Sequence, residues 1–374
     1  MSDKKQILIF CLSLKKGGAE RVISLLLKEY AQDENLQVHF IMMESGIAYE
    51  IPESITPIIL DNDKKGSLRK LIELPFLAWK LAKYIKAHKI QSVLSFLYRP
   101  NYVNLLAKLF LAKHRALINI RSTTSRYKQE GLLGKVNLFL IKSLFSRADM
   151  IISNSKGVAE DLEGLIDIKS ETKVIYNPID LNYVESQRDL CQENYFVFQE
   201  SKKYIISVGR LIPLKRNRDL IDAFFQLNEG HKNVELLFLG DGSLLEELKS
   251  YTRELQIEKK VHFLGNVQNP FYYLARSDLF VLNSQTEGFP NVLVEAMAVG
   301  IPVISSDCKS GPREILEDGK YGALYSVGNI DELSEAIEMS LDHTLNKDAQ
   351  LQYYHEKLKS FEIKKIVREF KETL

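Results

Sequence analysis

The sequence predicts an α/β protein built from two Rossmann-like, doubly wound domains that face each other across a cleft. Three observations predict it. At 374 residues the chain exceeds the size at which one core usually stops growing, so two domains are expected. Short continuous apolar runs recur in both halves, as in strands buried on both faces of a parallel sheet. The first run leads through a Gly-Gly loop into a helical pattern and then a second run, which is a βαβ order.

Taken in order, "QILIFCL" is the first strand, "AERVISLLLKEYA" the helix and "LQVHFIMM" the second strand. The stretch 68–89, "LRKLIELPFLAWKLAKYIKAHK", reads as a basic amphipathic helix kinked or broken at Pro75. "QSVLSF", "RALINIR" and "ADMIISNS" read as further strands, and "TKVIYNP" closes the half. A second alternation starts near residue 203 with "KYIISVGRL", "VELLFLGDG", "VHFLGNV", "LFVLNS" and "PVISSD" as strands between helical segments. The expected boundaries are 1–180 for the first domain and 203–355 for the second, with a linker through 177–202. A C-terminal helical stretch, 356–374, is expected to pack back toward the first domain. In open α/β sheets ligands bind outside the carboxyl ends of the strands, which directs attention to the loops there.

The composition, 45% hydrophobic and 26% charged, is that of a globular protein. Cys11, Cys191 and Cys308 form no CxxC pair, which suits a reducing cytosol. The first apolar run is too short for a signal peptide and is followed by Lys15 and Lys16. No run of 18 uncharged apolar residues appears, so no membrane span is expected. Charge is divided unevenly: residues 1–180 hold 27 Lys/Arg against 19 Asp/Glu, while 181–374 hold 23 against 30. A basic half seeks anions: nucleic acid, acidic lipid or a phosphorylated substrate.

Two segments carry chemistry. In "SVGRLIPLKRNRDLIDAF" (207–224) a strand ends at Val208, Gly209 turns the chain, and Arg210 and Lys215 stand at the mouth of the next helix. Two cations beside a helix N-terminus suit a diphosphate, the plain alternative being a solvated basic loop. In "TEGFPNVLVEAMAVGIPVISSD" (286–307) Glu287 precedes a helix and Glu295 lies inside it among apolar residues. Gly288 allows close backbone approach to a ligand, and Pro290 suits a first helical turn. Carboxylates pair with vicinal hydroxyls, so these residues suit a ribose and a hexose. The alternative is that Glu287 caps the helix and Glu295 meets a buried cation.

"EGFPNVLVEAMAVGIPVISSD" resembles the E-x7-E signature of retaining GT-B glycosyltransferases of family 4. The same family shows "VGRLIPLK" (208–215), "GDG" (240–242), "FLG" (263–265), "GGAERV" (17–22), and "NSKGVAEDL" (154–162) leading to "VIYNPID" (174–180). The resemblance implies an acceptor-binding first domain and a nucleotide-sugar-binding second domain. It implies that Arg210 and Lys215 hold the donor diphosphate, Glu295 the ribose and Glu287 the hexose. Backbone at Gly288, Phe289, Pro290 and Asn291 would contact the sugar, Asn266 and Val267 the base, and Gly17 and Gly18 the diphosphate. The resemblance implies no cofactor or metal, and no strong protein nucleophile either, because the leaving diphosphate itself takes the acceptor proton on the same face. Many relatives carry a histidine after the strand equivalent to "ALINI"; this chain has Arg121, which cannot act as a base. Arg121 is therefore a candidate for binding acceptor phosphate or donor sugar, and Arg99 and Asn101 in "SFLYRPNY" are similar candidates, their plain alternative being a structural role.

The basic belt, 64–156, holds two amphipathic segments, 68–89 and "LLGKVNLFLIKSLFSR" (132–147), which suit an anionic membrane surface. No nucleic-acid-binding motif accompanies the charge, so nucleic acid is not expected. "DND" (61–63) lies far from the donor motifs, and the histidines show no ligand spacing, so neither is read as a metal site. The overall pattern is similar to bacterial N-acetylgalactosamine transferases that extend lipid-linked oligosaccharides. A UDP-sugar donor, a polyprenyl-diphosphate glycan acceptor and a place at the inner face of the cytoplasmic membrane are the expectations. The rivals are a nucleotide-sugar epimerase, another GT-B enzyme, or a non-catalytic nucleotide-sugar-binding module.

Overall fold

Apolar β-branched runs flanked by helical segments build two parallel sheets in a computed structural model of the chain. It describes residues 4–15, 17–61, 67–110, 112–190, 196–228, 230, 233–342 and 346–374. Expectations on Lys16, Asn62, Asp63, Cys191, His231 and His343 lie outside these residues. The chain divides into two compact units, 1–178 with 363–374, and 179–362.

In the first unit the strands are β1 Lys5–Cys11, β2 Leu36–Met42, β3 Pro57–Ile59, β4 Ser92–Phe96, β5 Arg115–Ile120, β6 Met150–Ser153 and β7 Glu171–Val174. They lie in the order β3-β2-β1-β4-β5-β6-β7, all parallel. Alternation along β1 sends Leu8 and Phe10 to one core, with Leu77, Leu81 and Ile85 of the helix Leu74–Ala87. Ile7 and Ile9 go to the other core. There they meet Val22, Leu26 and Leu27 of the helix Gly18–Tyr30, and Ile366 and Phe370 of the helix Ile363–Lys371.

The second unit repeats the plan with β8 Lys203–Val208, β9 Val234–Leu239, β10 Val261–Gly265, β11 Leu279–Leu282, β12 Val303–Ser306 and β13 Ala323–Tyr325. Their order is β10-β9-β8-β11-β12-β13, again parallel. In each unit the strand order reverses beside the first strand, between β1 and β4 and between β8 and β11. A crevice forms at such a reversal because the two flanking loops depart in opposite directions. The carboxyl ends of those strands carry the residues of interest.

β3 and β13 were not expected from the sequence. Both are three-residue edge strands, too short to show an apolar period. The stretch 68–89 is two helices, Ser67–Ile72 and Leu74–Ala87, parted at Glu73. Pro75 sits in the first turn of the second helix, where it needs no N–H partner, so the break precedes it. Residues 179–190 do not form a loose linker. Their helix, Leu181–Arg188, is tied to the helix Pro270–Arg276 through Asn269 Nδ2 donating to the carbonyls of Gln187 at 2.7 Å and Leu190 at 3.1 Å. At the C-terminus, two helices replace one: Lys347–Lys359 stays with the second unit, and only Ile363–Lys371 joins the first.

Candidate functional site

The site in the second unit begins where β8 ends. Gly209 donates its N–H to the Leu239 carbonyl at 2.8 Å, and Leu211 to Asp241 at 3.0 Å, so the loops after β8 and β9 run against each other. The contact is close enough to demand glycine. A Cβ on Gly240, whose φ is +133°, would lie 2.0 Å from the Gly209 carbonyl oxygen, and one on Gly242 would lie 2.2 Å from that of Leu211. The "GDG" motif thus shapes the loop that carries Arg210, whose side chain is exposed. A turn of 3-10 helix, Pro213–Lys215, then brings Lys215 back over the strand ends.

Lys215 meets Glu287 there. Its Nζ donates to Glu287 Oε1 at 2.5 Å, and Ser284 Oγ donates to the same oxygen at 2.6 Å. The backbone on both sides is fixed. Asn283 Nδ2 donates to the carbonyls of Lys215 and Arg216 at 2.7 and 2.6 Å, and Ser310 Oγ donates to that of Glu287 at 2.7 Å. A carboxylate needs hydrogen-bond donors when removed from water, and the chain itself supplies them to Glu287. Sugar hydroxyls are therefore not required to satisfy Glu287. Glu287 does not cap the following helix, Asn291–Ala298, either: Pro290 takes that position.

Phe289 turns inward, edge-on to Phe361 at 5.3 Å. Pro290 has no N–H to offer a ligand. Gly288, Phe289 and Pro290 are buried, Asn291 is half-buried, and Glu295 is buried within the helix. Asn266, just past β10, is exposed, and Val267 beside it is half-buried. Cys308 borders Glu287; burial, then the nearby carboxylate, pushes its thiol up to about 12, which leaves it protonated at neutral pH.

A second cluster lies at the strand ends of the first unit. Gly17 precedes the helix Gly18–Tyr30 and exchanges hydrogen bonds with the Tyr49 hydroxyl, at 3.4 Å through its N–H and 3.1 Å through its carbonyl. Gly18 is exposed in the first turn. Glu20 folds back over Gly17: a Cβ there would meet Glu20 Oε2 at 2.2 Å. Burial raises the Glu20 carboxyl above its ordinary value, against opposing pulls from its own N–H and from Arg121.

Arg121, at the end of β5, is buried and donates from Nη2 to Asn177 Oδ1 at 2.6 Å, with its guanidinium 5.6 Å from the Phe96 ring. Its Nε and Nη1 have no hydrogen-bond partner among the described residues. Burial draws its pKa down to about 9, partly offset by Glu20, so it remains charged at neutral pH. Glu20 and Asn177 were not among the residues singled out from sequence. Glu20 could have been found as an acid in the first turn of a helix opened by Gly-Gly.

Arg99 is committed elsewhere. Its Nη1 and Lys70 Nζ both donate to Glu44 Oε1, each at 2.7 Å. Burial pushes the Glu44 carboxyl up, but these two bonds outweigh it and hold it below its ordinary value. Among the described residues no group of three His, Cys, Asp or Glu side chains could hold a metal ion.

Two Rossmann-like parallel-sheet units, each with a charged cluster at the carboxyl ends of its strands, share the GT-B fold of known glycosyltransferases. The family description "Glycosyl transferases group 1" matches residues 192–358, and "Glycosyltransferase Family 4" matches 16–183. The chain is 36% identical to the N-acetylgalactosamine-N,N'-diacetylbacillosaminyl-diphospho-undecaprenol 4-alpha-N-acetylgalactosaminyltransferase of Campylobacter jejuni, over 96% of this chain and 97% of that one. The chain belongs to the group 1 glycosyltransferases. It is also 34% identical to a lipopolysaccharide 1,6-galactosyltransferase of Salmonella typhimurium, over 50% of each chain. Among solved structures, Anabaena HepE in complex with UDP superposes with a TM-score of 0.78 at 24% identity, covering 98% of this chain and 99% of that one.

Proposed function

We propose that this glycosyltransferase is a retaining enzyme that moves an N-acetylhexosamine from a UDP-sugar onto a glycan carried on a polyprenyl diphosphate. The observation that carries the acceptor class is the likeness to the Campylobacter transferase along essentially the whole of both chains. In the reaction, the bond from the anomeric carbon to the diphosphate oxygen breaks. The acceptor hydroxyl bonds to that carbon on the same face, and its proton passes to the leaving phosphate oxygen. The protein's task is to stabilise charge that develops on the diphosphate, and Arg210 and Lys215 are the groups proposed for it. Glu287 spends Oε1 on holding Lys215 and Ser284, so Oε2 is the oxygen assigned to a sugar hydroxyl. Glu295 is assigned to the ribose and the exposed Asn266 to the base. Gly17 and Gly18 are assigned to the diphosphate, and Arg121 to the acceptor. Because Arg99 is held by Glu44, Arg121 is preferred over it for that role. No metal takes part in this scheme.

The acceptor is a membrane lipid, and the first unit offers a surface that suits it. The helix Leu74–Ala87 buries Leu77, Leu81 and Ile85 but leaves Trp79 46% exposed, with Lys83 over its ring at 5.4 Å. The helix Gly131–Leu144 leaves Leu132 and Phe139 78% and 68% exposed. Apolar side chains flanked by lysines suit the interface of an anionic bilayer, and none of the described helices is long and apolar enough to cross one.

The test incubates purified protein with labelled UDP-N-acetylgalactosamine and other UDP-sugars and a bacterial undecaprenyl-diphosphate glycan extract, with and without EDTA. Label in the lipid fraction, unaffected by EDTA and with the α-configuration retained, is expected. Transfer only to a soluble glycan would refute the lipid acceptor, and loss of activity in EDTA would refute the metal-free scheme.

A further inference from the structure

The segment 154–162, "NSKGVAEDL", has no place in the site as described so far. In the structure it acts on the loop that follows β5. Asn154 Nδ2 donates to the Arg121 carbonyl at 3.3 Å. Ser155 caps the helix Lys156–Glu163, its side chain accepting from the Val158 N–H at 3.2 Å. Further along that helix, Asp161 Oδ2 accepts from the N–H groups of Thr124 at 2.6 Å and Ser125 at 2.8 Å. Tyr98 adds a bond from its hydroxyl to the Ser122 carbonyl at 3.1 Å and shares another with Thr124 Oγ1 at 2.7 Å.

Asp161 is only 4% exposed. Burying a carboxylate is costly unless donors satisfy it, and here two of those donors are main-chain groups of one short loop. That loop begins with Arg121, a buried cation whose Nε and Nη1 have no partner among the described residues. The segment thus grips the backbone at Arg121 through Asn154, and three to four residues further on through Asp161.

We propose that Asp161, together with Asn154, is a positioning residue for sugar transfer, holding the loop after β5 so that Arg121 meets the phosphate of the acceptor. The proposal rests on the assignment of Arg121 to the acceptor. Asp161 itself touches no substrate; it acts through the loop.

The experiment compares Asp161→Ala, Asp161→Asn, Asn154→Ala, Arg121→Ala and the double variant Arg121→Ala/Asp161→Ala. It measures kcat and KM for transfer from UDP-N-acetylgalactosamine to undecaprenyl-diphosphate-linked N-acetylgalactosaminyl-diacetylbacillosamine. Hydrogen exchange over residues 121–129 and Tm are followed in parallel. Asp161→Ala should lower kcat/KM by about a hundredfold, the scale of a small misplacement of a reacting group. Asp161→Asn should recover most of this, since its amide oxygen still accepts from both N–H groups. In the Arg121→Ala background, removal of Asp161 should cost no more than about twofold. Exchange over 121–129 should quicken in Asp161→Ala and return to the wild-type rate in Asp161→Asn.

Losses that multiply in the double variant, or an Asn variant as impaired as Ala, would overturn the proposal. So would unchanged exchange in Asp161→Ala, a result that can be read even if the wild type transfers nothing to this acceptor. Full activity in Arg121→Ala would instead overturn the assignment of Arg121, and the proposal with it.

Discussion

Glu287 shows how a single carboxylate can organise a cationic site. Its Oε1 gathers Lys215 and Ser284, so removing the side chain leaves an ammonium without its counter-charge in a partly buried place. Glu287→Ala should reduce kcat by about a hundredfold, the scale of a misplaced reacting group, since Lys215 is no longer held and the contact to the sugar is lost. The fold should survive, with a loss of about 1–3 kcal/mol on thermal unfolding for the broken hydrogen-bonded pair. Unchanged turnover would remove Glu287 from the site. Glu44 makes a different prediction. Its carboxyl is held below its ordinary value in the folded protein, so the Lys70 and Arg99 bonds stabilise the fold at neutral pH. That stability should be lost as pH falls from the ordinary value of 4.5 through the lowered folded one. Tm profiles of Glu44→Gln and wild type should therefore differ at pH 7 and converge in acid. A constant gap across that range would mean that the ion pairs contribute nothing. The spacing of Glu287 and Glu295 was visible in the sequence. The commitment of Arg99 to Glu44, 55 positions away, was not, because nothing local links them.

At the scale of elements, the strand-end loops are the sensitive parts. Gly240 combines a left-handed φ with a neighbouring carbonyl that fills the place of a side chain. Gly240→Val must push the loops after β8 and β9 apart, at a cost of about 1–3 kcal/mol for the strained backbone alone. UDP binding, measured by calorimetry, should weaken with it, since Arg210 rides on the displaced loop. Retained affinity and Tm would show that the loops move without consequence. The amphipathic helix Leu74–Ala87 carries a second element-scale prediction. Lys80 is tied to the Leu60 carbonyl at 3.2 Å, so Lys83 and Lys86 are the cleaner probes of membrane contact. Lys83→Glu/Lys86→Glu should release the protein from phosphatidylglycerol vesicles in a sedimentation assay without lowering Tm. Undiminished sedimentation would exclude this helix as the anchor. The long buried strands were legible from their apolar runs. The edge strands β3 and β13 were not, because three residues paired on one side need little hydrophobic pattern.

At the scale of the whole molecule, the chain passes between its units twice, near residues 178 and 362, and its last helix completes the core of the first unit. Ser92 Oγ donates to the Leu374 carbonyl and Arg115 Nη1 to that of Thr373, both at 2.7 Å, so β4 and β5 hold the residues just after the last helix to the first unit. Phe370→Ala, in that core, should destabilise the first unit by about 3–5 kcal/mol, read as an earlier unfolding transition in calorimetry. A single unshifted transition would show the helix to be dispensable. The sequence by itself determined the two parallel sheets, the ordered motifs and the family, since these rest on local period and on residues close together in the chain. Only the tertiary structure decided which charges neutralise one another. Lys215 is neutralised by Glu287, while Arg121 hydrogen-bonds the uncharged Asn177 and Asp161 accepts from main-chain N–H groups of the loop after β5, because parallel strands bring their ends together from distant parts of the chain. Those pairings depend on strand order, and no local pattern of residues encodes the distance between two strand ends.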